Sequence, residues 1–378
     1  MAKVSDLCRL DYTISYPIHE LGEPMKALVL AGGKGTRLRP LTHTIAKQLI
    51  PVANRPVIHY VMDHLSASGI QEIGVIVSPE TGDQIREALG SNTWKLDFTF
   101  IPQEEPLGLA HTTLLARDFL GDEPFVMYLG DNLIRDGLGD VIDLFNKSEA
   151  DAALLLKEVT DPSQFGVAVL DNDGPIQRLV EKPSEQISNM ALVGVYCFSP
   201  AIHEAVSNIQ PSARGELEIT DAIQYLLETK NKVVGQRIDG WWLDCGKKDD
   251  LLEANLVVLD DWHQTDIRGD VDEASRITGR VAIGEGAIVR KSELRGPVVV
   301  GSGTVVEDSF IGPYSSVGRD CHISSSSLAN SVILNSVKII GVTRLEDSVI
   351  GQNATIKSDT DSNRATRLAV GDDAEVEI

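Results

Sequence analysis

The sequence predicts an α/β protein in which a mostly parallel sheet, with helices on both faces, is followed by a parallel β-helix. From Met25 to about residue 262, short apolar runs alternate with segments of helical periodicity, and strands separated by helices favour parallel pairing. From about residue 280 the helical periodicity disappears and aliphatic residues recur every six positions. The chain has 378 residues, which is long for one hydrophobic core, so two domains are expected.

The first part of the chain contains predicted strands and helices in alternation. The strands are short apolar runs, as expected where both faces of a sheet are covered, and they span 27–30, 73–77, 98–101 and 125–129. Helical spacing of apolar residues predicts helices over 56–68, 84–89 and 109–119. Gly32 and Gly33 follow the first strand, and Asp131 follows the fourth. Ligands bind beyond the carboxyl ends of parallel strands, so these residues share a crevice if the two strands are neighbours.

A predicted helix from Asp250 to Trp262 joins the two domains, since Leu251, Leu252, Leu256 and Leu259 lie at helical spacing. We expect four segments, each with its own composition. They are an N-terminal extension that we expect to be disordered (1–24), the α/β domain (25–262), the β-helix (263–358) and a polar C-terminal tail (359–378).

The β-helix prediction depends on a series of residues at intervals of six: Val299, Val305, Ile311, Val317 and Ile323. Such a repeat is typical of a parallel β-helix, in which one aliphatic residue per hexad points into a narrow core. The series breaks near residue 295 and again after residue 323, so the coils are not expected to be regular.

Composition excludes several classes of protein. The formal net charge of −22 argues against a nucleic-acid-binding protein. The four cysteines are far apart, which disfavours a zinc site or a disulfide framework and is typical of a cytoplasmic protein. No apolar run approaches the roughly 18 residues that a membrane-spanning helix needs, so no membrane association is expected.

The segment Gly32-Gly33-Lys34-Gly35-Thr36-Arg37-Leu38, called here the glycine loop, is basic in an acidic protein. It matches neither the P-loop nor the dinucleotide-binding fingerprint, because the required spacing of glycines is missing. Glycines nevertheless let backbone N–H groups approach an anion, and an arginine binds phosphate oxygens in a bidentate manner. The loop is therefore predicted to bind phosphate, with Lys47 following it closely in sequence.

Motifs between residue 26 and about residue 260 resemble, in the same order, those of the sugar-1-phosphate nucleotidylyltransferases. They read LAGGKGTRLRPLT…AKQLIPV, PLGLAHT, LGDN, FGVAVLD, VEKP, LVGVY, PSARGELEITDAI and WWLDCG. Several look most like the glucose-1-phosphate thymidylyltransferases, and the added β-helix resembles the long form of that enzyme. The resemblance implies a Rossmann-like sheet, a left-handed β-helix and the transfer of a nucleotidyl group from dTTP to glucose 1-phosphate.

The resemblance also implies roles for charged residues. Asp131 and Asp244 match positions that bind Mg²⁺, and Mg²⁺ favours one or two carboxylates together with phosphate oxygens. Arg37 and Lys47 match positions that hold the triphosphate, and Lys182 matches one that holds the sugar phosphate. Arg37, Lys47, Asp131 and Lys182 are therefore the predicted catalytic residues.

The remaining predicted contacts divide between the nucleotide and the sugar. The nucleotide positions, besides Arg37, are Leu30, Gly32, Gly33, Gly35, Thr36, Gln103 and Gly108, of which the last two read the base. The sugar positions, besides Lys182, are Asn132, Gly166, Glu181, Val193 and Gly194. Trp241 and Trp242 could contact the sugar, although packing in the core is favoured, and we expect His111 to be structural. Phe165 and Leu107 depart from the short thymidylyltransferases, which usually carry Tyr and Asp at these positions.

Alternative functions remain at this stage. A UTP-dependent enzyme, or one that uses another hexose 1-phosphate, would share the same motifs. A bifunctional acyltransferase or a non-catalytic subunit that binds sugar nucleotides is less favoured, because the β-helix lacks an evident His–acid pair and the charged residues are all present. We also expect a homo-oligomer that forms through the β-helix.

Overall fold

The computed structural model describes residues 24–171 and 174–358. The predicted C-terminal tail and, except for Pro24, the predicted N-terminal extension lie outside the described residues. Within those residues no helix is both long enough and apolar enough to cross a bilayer.

The first part of the chain forms a nine-stranded mixed sheet with small accessory strand pairs. Its path runs β10-β9-β11-β6-β1-β4-β5, and β8 pairs with β11 and β12. The strands are β1 (Lys26–Ala31), β2 (Pro51–Val52), β3 (Arg55–Pro56), β4 (Glu72–Val77), β5 (Asp97–Pro102), β6 (Phe125–Leu129), β7 (Asn132–Ile134), β8 (Ala152–Glu158), β9 (Gly166–Leu170), β10 (Ile176–Glu181), β11 (Met190–Phe198), β12 (Val233–Arg237) and β13 (Trp242–Asp244).

The predicted parallel arrangement is confirmed for β5, β4, β1 and β6, which all run in the same direction. The second half of the sheet introduces antiparallel strands, because β11 runs antiparallel to β6, β8 and β9. Since β1 and β6 pair directly, Gly32 and Asp131 lie at the same edge, as the shared-crevice prediction requires. A hydrogen bond of 3.0 Å from Gly130 N to Leu30 O joins the two strand ends.

The helices cover both faces of the sheet: α1 (Val57–Ala67), α2 (Gly82–Leu89), α3 (Leu109–Leu115), α4 (Arg117–Leu120), α5 (Gly139–Ser148), α6 (Ala201–Asn208), α7 (Ile219–Glu228) and α8 (Lys248–Asp261). The single helix predicted over 109–119 is wrong in one respect, because it divides into α3 and α4 at Ala116, whose φ and ψ are −87° and 3°. Helix α8 confirms the predicted linker helix.

The second part of the chain forms three parallel sheets of six, six and four strands, consistent with a left-handed β-helix. Its strands are β14 (Asp266–Ile267), β15 (Asp270–Val271), β16 (Arg276–Thr278), β17 (Val281–Ile283), β18 (Ile288–Arg290), β19 (Glu293–Arg295), β20 (Val298–Val300), β21 (Val305–Glu307), β22 (Phe310–Ile311), β23 (Ser315–Val317), β24 (His322–Ser324), β25 (Ser327–Leu328), β26 (Val332–Ile333), β27 (Lys338–Ile340), β28 (Val349–Ile350) and β29 (Thr355–Lys357).

The phase of the predicted hexads needs a correction. Ile311, Val317 and Ile323 lie in the β-helix core as predicted, but Val299 packs against the α/β domain and Val305 is only half-buried. Their neighbours Val300 and Val306 occupy the core positions instead. The register explains the shift, because Val281 pairs with Val298 and Val298 with Ser315, which makes a coil of 17 residues rather than three hexads.

Candidate active site

The glycine loop follows β1 and ends in a short 3₁₀ turn, Thr36–Leu38. Gly35 has φ of 59°, a left-handed conformation that glycine adopts without strain. The hydroxyl of Thr42 donates a hydrogen bond of 2.7 Å to the carbonyl of Gly35. Gly33, Thr36 and Arg37 are exposed, whereas Leu38 is buried and anchors the turn in the core. Leu38 and the hydrogen bond from Thr42 thus anchor the loop to the domain.

Lys47 lies between the two predicted metal-binding carboxylates. Its Nζ forms an ion pair with Asp131 Oδ2, and Asp244 Oδ1 lies 3.7 Å from the same nitrogen. Asp131 directly precedes β7 and Asp244 ends β13, which pairs with β7 so that Asp244 is opposite Asn132. Cys245 N donates to Asp131 O at 3.2 Å and fixes the two segments together.

The guanidinium of Arg37 also lies close to the carboxylate of Asp244. A Cβ added to Gly246 would lie 3.2 Å from both carboxylate oxygens of Asp244 and 3.3 Å from Nη2 of Arg37, so the two side chains approach each other beside this glycine. The structure therefore brings together two cations and two carboxylates that are separated by up to about two hundred residues in sequence.

The electrostatics favour a bound cation next to the two carboxylates. Burial by itself would lower the pKa of Lys47, but attraction to Asp131 and Asp244 outweighs it and raises the pKa. Burial and the neighbouring charge of Asp131 raise the pKa of Asp244. Paired carboxylate oxygens fit a hard cation such as Mg²⁺, which takes its remaining ligands from phosphate and water. Among the described residues no cluster of three or more His, Cys, Asp or Glu side chains has metal-binding geometry.

The predicted sugar-binding residues gather at a second end of the crevice. Glu181 accepts a hydrogen bond of 3.1 Å from Thr220 and forms ion pairs with Lys182 at 3.5 Å and Arg214 at 3.3 Å. A Cβ added to Gly166 would lie 3.1 Å from Glu181 Oε2, so a larger residue would crowd the carboxylate. Burial is the main cause that raises the pKa of Glu181.

Asn132 connects the carboxylate end of the crevice with the sugar end. Trp242 Nε1 donates a hydrogen bond of 3.0 Å to Asn132 Oδ1, and the Trp242 ring meets Phe165 edge-on with centroids 4.9 Å apart. Lys182 N in turn donates to Phe165 O at 3.0 Å. The expectation that Trp242 packs in the core is confirmed, because its half-buried ring packs against the core of the α/β domain, and its indole nitrogen additionally binds a predicted site residue.

Gly194 lies against the same asparagine. Its φ is 83°, and an added Cβ would lie 2.5 Å from Asn132 Nδ2. Val193 is fully buried in the core of the α/β domain. Leu30 is also buried, with 7% of the residue exposed. Direct ligand contacts of Val193 and Leu30 stay predictions.

The predicted base-reading residues lie beside the glycine loop. Gln103 directly follows β5, and its Oε1 would be 3.3 Å from a Cβ added to Gly32. Its amide nitrogen faces Gly108 O at 3.4 Å and His111 Nδ1 at 3.3 Å, so His111 orients this amide, a role that the sequence did not predict. Gly108 has φ of 107° and packs so closely on Leu217 that an added Cβ would lie 2.3 Å from the Leu217 carbonyl oxygen.

Sequence reasoning missed several residues of the site. Arg214 donates a hydrogen bond of 2.8 Å to the buried carboxylate of Glu218 and brings a second cation, besides Lys182, to the sugar end. Gln48 lies under the glycine loop, and its Oε1 is buried with no hydrogen-bond partner among the described residues. An arginine in an exposed loop has no distinctive pattern, although the PSARGELEITDAI motif that contains Arg214 was available as a signal.

Comparisons with known proteins agree with this geometry. Residues 26–261 match the family model described as nucleotidyl transferase. A glucose-1-phosphate thymidylyltransferase of Streptomyces antibioticus is 48% identical over 355 residues, which are 94% of this chain and 99% of the relative. A UTP–glucose-1-phosphate uridylyltransferase of Haloferax volcanii is 40% identical over 61% of this chain and 95% of the relative. The crystal structure of a putative glucose-1-phosphate thymidylyltransferase from Bacillus anthracis, in complex with a sucrose, superposes with a TM-score of 0.58 at 35% identity, over 62% of this chain and 94% of that chain.

Proposed function

The chain belongs to the nucleotidyl transferase family, and on that premise we propose that it transfers the thymidylyl group of dTTP to glucose 1-phosphate and releases pyrophosphate. The observation that carries the proposal is the convergence of Arg37, Lys47, Asp131 and Asp244 at the carboxyl end of the parallel strands. The relative from Streptomyces antibioticus supports the choice of substrates, because it covers both domains of this chain.

In the proposed reaction an oxygen of the sugar phosphate forms a bond to the α-phosphorus of dTTP. The bond between that phosphorus and the oxygen that bridges to the β-phosphate breaks, and pyrophosphate leaves with the bonding electrons. The nucleophile is already an anion near pH 7, since the second pKa of a phosphate monoester is about 6, so no general base is required. Positioning and charge stabilisation must therefore supply most of the catalysis.

The charged residues would have separate roles in positioning the substrates and in stabilising charge. Arg37 and Lys47 would hold the triphosphate and stabilise the charge that builds up on the leaving pyrophosphate. Lys182 would bind the sugar phosphate, with Arg214 beside it, and these cations reduce the repulsion between two polyanions. Asp131 and Asp244 would hold Mg²⁺, which, when bound, neutralises charge on the phosphate oxygens.

Neutral groups would select the base and the sugar. The Gln103 amide would pair with the edge of the thymine, while Gly32, Gly33, Gly35, Thr36 and Gly108 would line the nucleotide site. Glu181, held by Thr220, would accept hydrogen bonds from sugar hydroxyls, and Asn132, Gly166, Val193 and Gly194 would complete the sugar pocket.

A second candidate function uses UTP instead of dTTP. The uridylyltransferase of Haloferax volcanii supports it, and the two bases differ by one methyl group, which a pocket separates by only about 1–3 kcal/mol. Leu107, which is 38% exposed, lies directly before the base-contacting Gly108 and belongs to the region that decides this preference. Another hexose 1-phosphate remains a further variant of the same reaction.

The test is pyrophosphate release with Mg²⁺ over a matrix of nucleoside triphosphates and sugar 1-phosphates. We expect dTTP with glucose 1-phosphate to have the highest kcat/KM, by about tenfold or more. A preference for UTP or another sugar would retain the chemistry and overturn the assignments at Gln103 and Glu181. Absence of pyrophosphate release in every combination would favour the non-catalytic subunit, and release of coenzyme A from acetyl-CoA would favour the bifunctional acyltransferase.

We also propose the domain limits 25–262 and 263–358, and a homo-oligomer that forms through the β-helix. The exposed edges of its terminal coils support this, and Ile267 in the first strand of the β-helix is 46% exposed. Light scattering of the intact protein should give a multiple of the chain mass, whereas a monomer would contradict the proposal. The expected cytoplasmic location stays a prediction.

A further inference from the structure

The segment between Arg37 and Lys47 touches the β-helix. It contains a 3₁₀ turn, Leu41–His43, and the side chain of Leu41 is half-buried at the domain interface. Leu41 packs with Leu252 of α8 on a small apolar cluster completed by three β-helix residues, Val332, Leu334 and Val349. Its Cδ2 lies 3.5 Å from the position that a Cβ on Gly351 would occupy. The β-helix thus contacts the chain midway between the two cations assigned to the triphosphate.

The contact continues into the glycine loop through the next residue. Thr42 follows Leu41, and its hydroxyl donates to the carbonyl of Gly35 at 2.7 Å. A Cβ added to Gly35 would lie 3.0 Å from Thr42 Cγ2 and equally close to Lys47 Cβ, so these residues are tightly packed. Leu41 is therefore connected to the glycine loop through its neighbour Thr42.

The β-helix itself is held firmly against the α/β domain at a second point. Asn255 of α8 is fully buried and accepts hydrogen bonds from Ala53 N at 2.9 Å and Ser316 Oγ at 2.8 Å. Its amide nitrogen donates to Tyr314 O at 2.9 Å. Because one side chain joins the α/β domain, the linker helix and the β-helix, the surface that meets Leu41 has a fixed position.

We propose that the β-helix is a positioning element for the triphosphate site, and that Leu41 and Val349 are the positioning residues through which it acts. This inference rests on the proposed function, because it assigns a purpose to the β-helix in that reaction. The β-helix would hold the 36–50 segment in the conformation that directs Arg37 and Lys47 into the crevice. An error of about 1 Å in such positions can lower a rate by about two orders of magnitude.

The alternative is that the apolar cluster only joins the two domains. Both accounts expect a loss of stability when the cluster is truncated, so stability does not separate them. They differ in nucleotide binding, since only a positioning role predicts a loss of affinity for the triphosphate that is absent for the sugar phosphate. The sugar end of the site, around Glu181 and Lys182, makes no contact with this cluster.

The experiment compares Val349→Ala with Val342→Ala in the full-length protein. Both valines are half-buried on the last coils, but Val349 packs on the domain interface whereas Val342 packs only on the β-helix core. Equilibrium binding of dTTP by calorimetry and steady-state kinetics are measured for both, together with the unfolding temperature. We expect Val349→Ala and Leu41→Ala to raise the Kd and KM for dTTP by about fivefold or more, with the KM for glucose 1-phosphate changed less than about twofold. Val342→Ala should leave all three constants within about twofold.

Two further variants test whether Leu41 and Val349 affect dTTP binding through their shared contact. Leu41→Met nearly conserves volume and should restore the affinity for dTTP. The double variant of Leu41 and Val349 should lose no more affinity than the worse single variant, because the two side chains act through one contact. Equal dTTP affinity in Val349→Ala and Val342→Ala would overturn the inference. If the parent protein binds no nucleoside triphosphate, the proposed function fails instead.

Discussion

Replacing Lys47 by methionine removes a buried cation while it keeps the length of the side chain. The Lys47 side chain is only 9% exposed and faces Asp131 and Asp244, the latter at 3.7 Å. At that distance, with an effective dielectric constant of about 20, the attraction to one carboxylate is about 4 kcal/mol before desolvation is subtracted. Loss of one partner of a buried ion pair costs about 3–5 kcal/mol of folding stability.

The effect on catalysis should be equally clear. Loss of one preorganised group that stabilises transition-state charge lowers kcat by about 10²–10³-fold. We expect a loss of this size for Lys47→Met in pyrophosphate release at saturating dTTP, glucose 1-phosphate and Mg²⁺. The matched control is Lys34→Met, which removes an exposed lysine from the glycine loop and should change kcat by less than about threefold.

The comparison of the two methionine variants can refute the electrostatic account. Circular dichroism at the assay temperature first establishes that Lys47→Met remains folded. If the folded Lys47→Met variant then keeps a kcat within about threefold of Lys34→Met, Lys47 is a structural residue. The leaving pyrophosphate must in that case be stabilised elsewhere.

Three further predictions concern stability. Burial raises the pKa of Glu181 in the folded protein, so the ionised carboxylate lowers the folding stability once the pH has risen through that pKa. Glu181→Gln should therefore raise the unfolding temperature at pH 7, and this gain should vanish near pH 4. A lower unfolding temperature of the variant at pH 7 would contradict this reasoning. Gly108→Ala would place a methyl group 2.3 Å from the Leu217 carbonyl oxygen, on a residue whose φ is 107°. We expect the free energy of unfolding, measured in urea, to fall by about 1–3 kcal/mol, and the affinity for dTTP to weaken. An unchanged urea midpoint would refute the predicted clash. Asn255→Leu leaves Ala53 N and Tyr314 O without their hydrogen-bond partner, each at a cost of about 1–3 kcal/mol of folding stability. Calorimetry should therefore show a lower unfolding temperature. An unfolding transition like that of the parent protein would mean that these hydrogen bonds do not hold the domains together.

The sheet and the position of the crevice were predictable because their signals are local. A buried strand that ends in glycine or aspartate places that residue beyond the sheet, and parallel neighbours bring such residues together. Gly32 and Asp131 follow this rule, and the direct pairing of β1 with β6 confirms it. The antiparallel strand β11 has no such signal, since a strand buried on both faces has the same composition in either direction.

The phase of the β-helix could not be read from the sequence. Val305 and Val306 are adjacent and identical, and only the stacking of coils decides which one points inwards. Val299 was misleading for a second reason, because an outward-facing valine is also buried where the β-helix meets the α/β domain. Where two domains meet, both faces of a strand can be buried. The alternation of buried and exposed residues that identifies the inward face of a single strand is then lost.

Some site residues depend on contacts that are remote in sequence. Trp242 resembles a core residue by type, and only the pairing of β13 with β7 brings its indole nitrogen to Asn132. Arg214 is exposed, and its relevance follows from the carboxylates of Glu181 and Glu218 that hold it. Such residues become visible when the three-dimensional neighbours of the predicted residues are inspected.

The most direct test of the account is ³¹P NMR of the protein mixed with dTTP, glucose 1-phosphate and Mg²⁺. Direct nucleotidyl transfer predicts a diphosphate signal of dTDP-glucose that grows together with an equal amount of pyrophosphate. It also predicts no exchange of labelled pyrophosphate into dTTP when the sugar phosphate is left out, because the sugar phosphate attacks directly. Exchange without the sugar phosphate would contradict direct attack, and dTMP or unchanged dTTP in the complete mixture would contradict nucleotidyl transfer to glucose 1-phosphate.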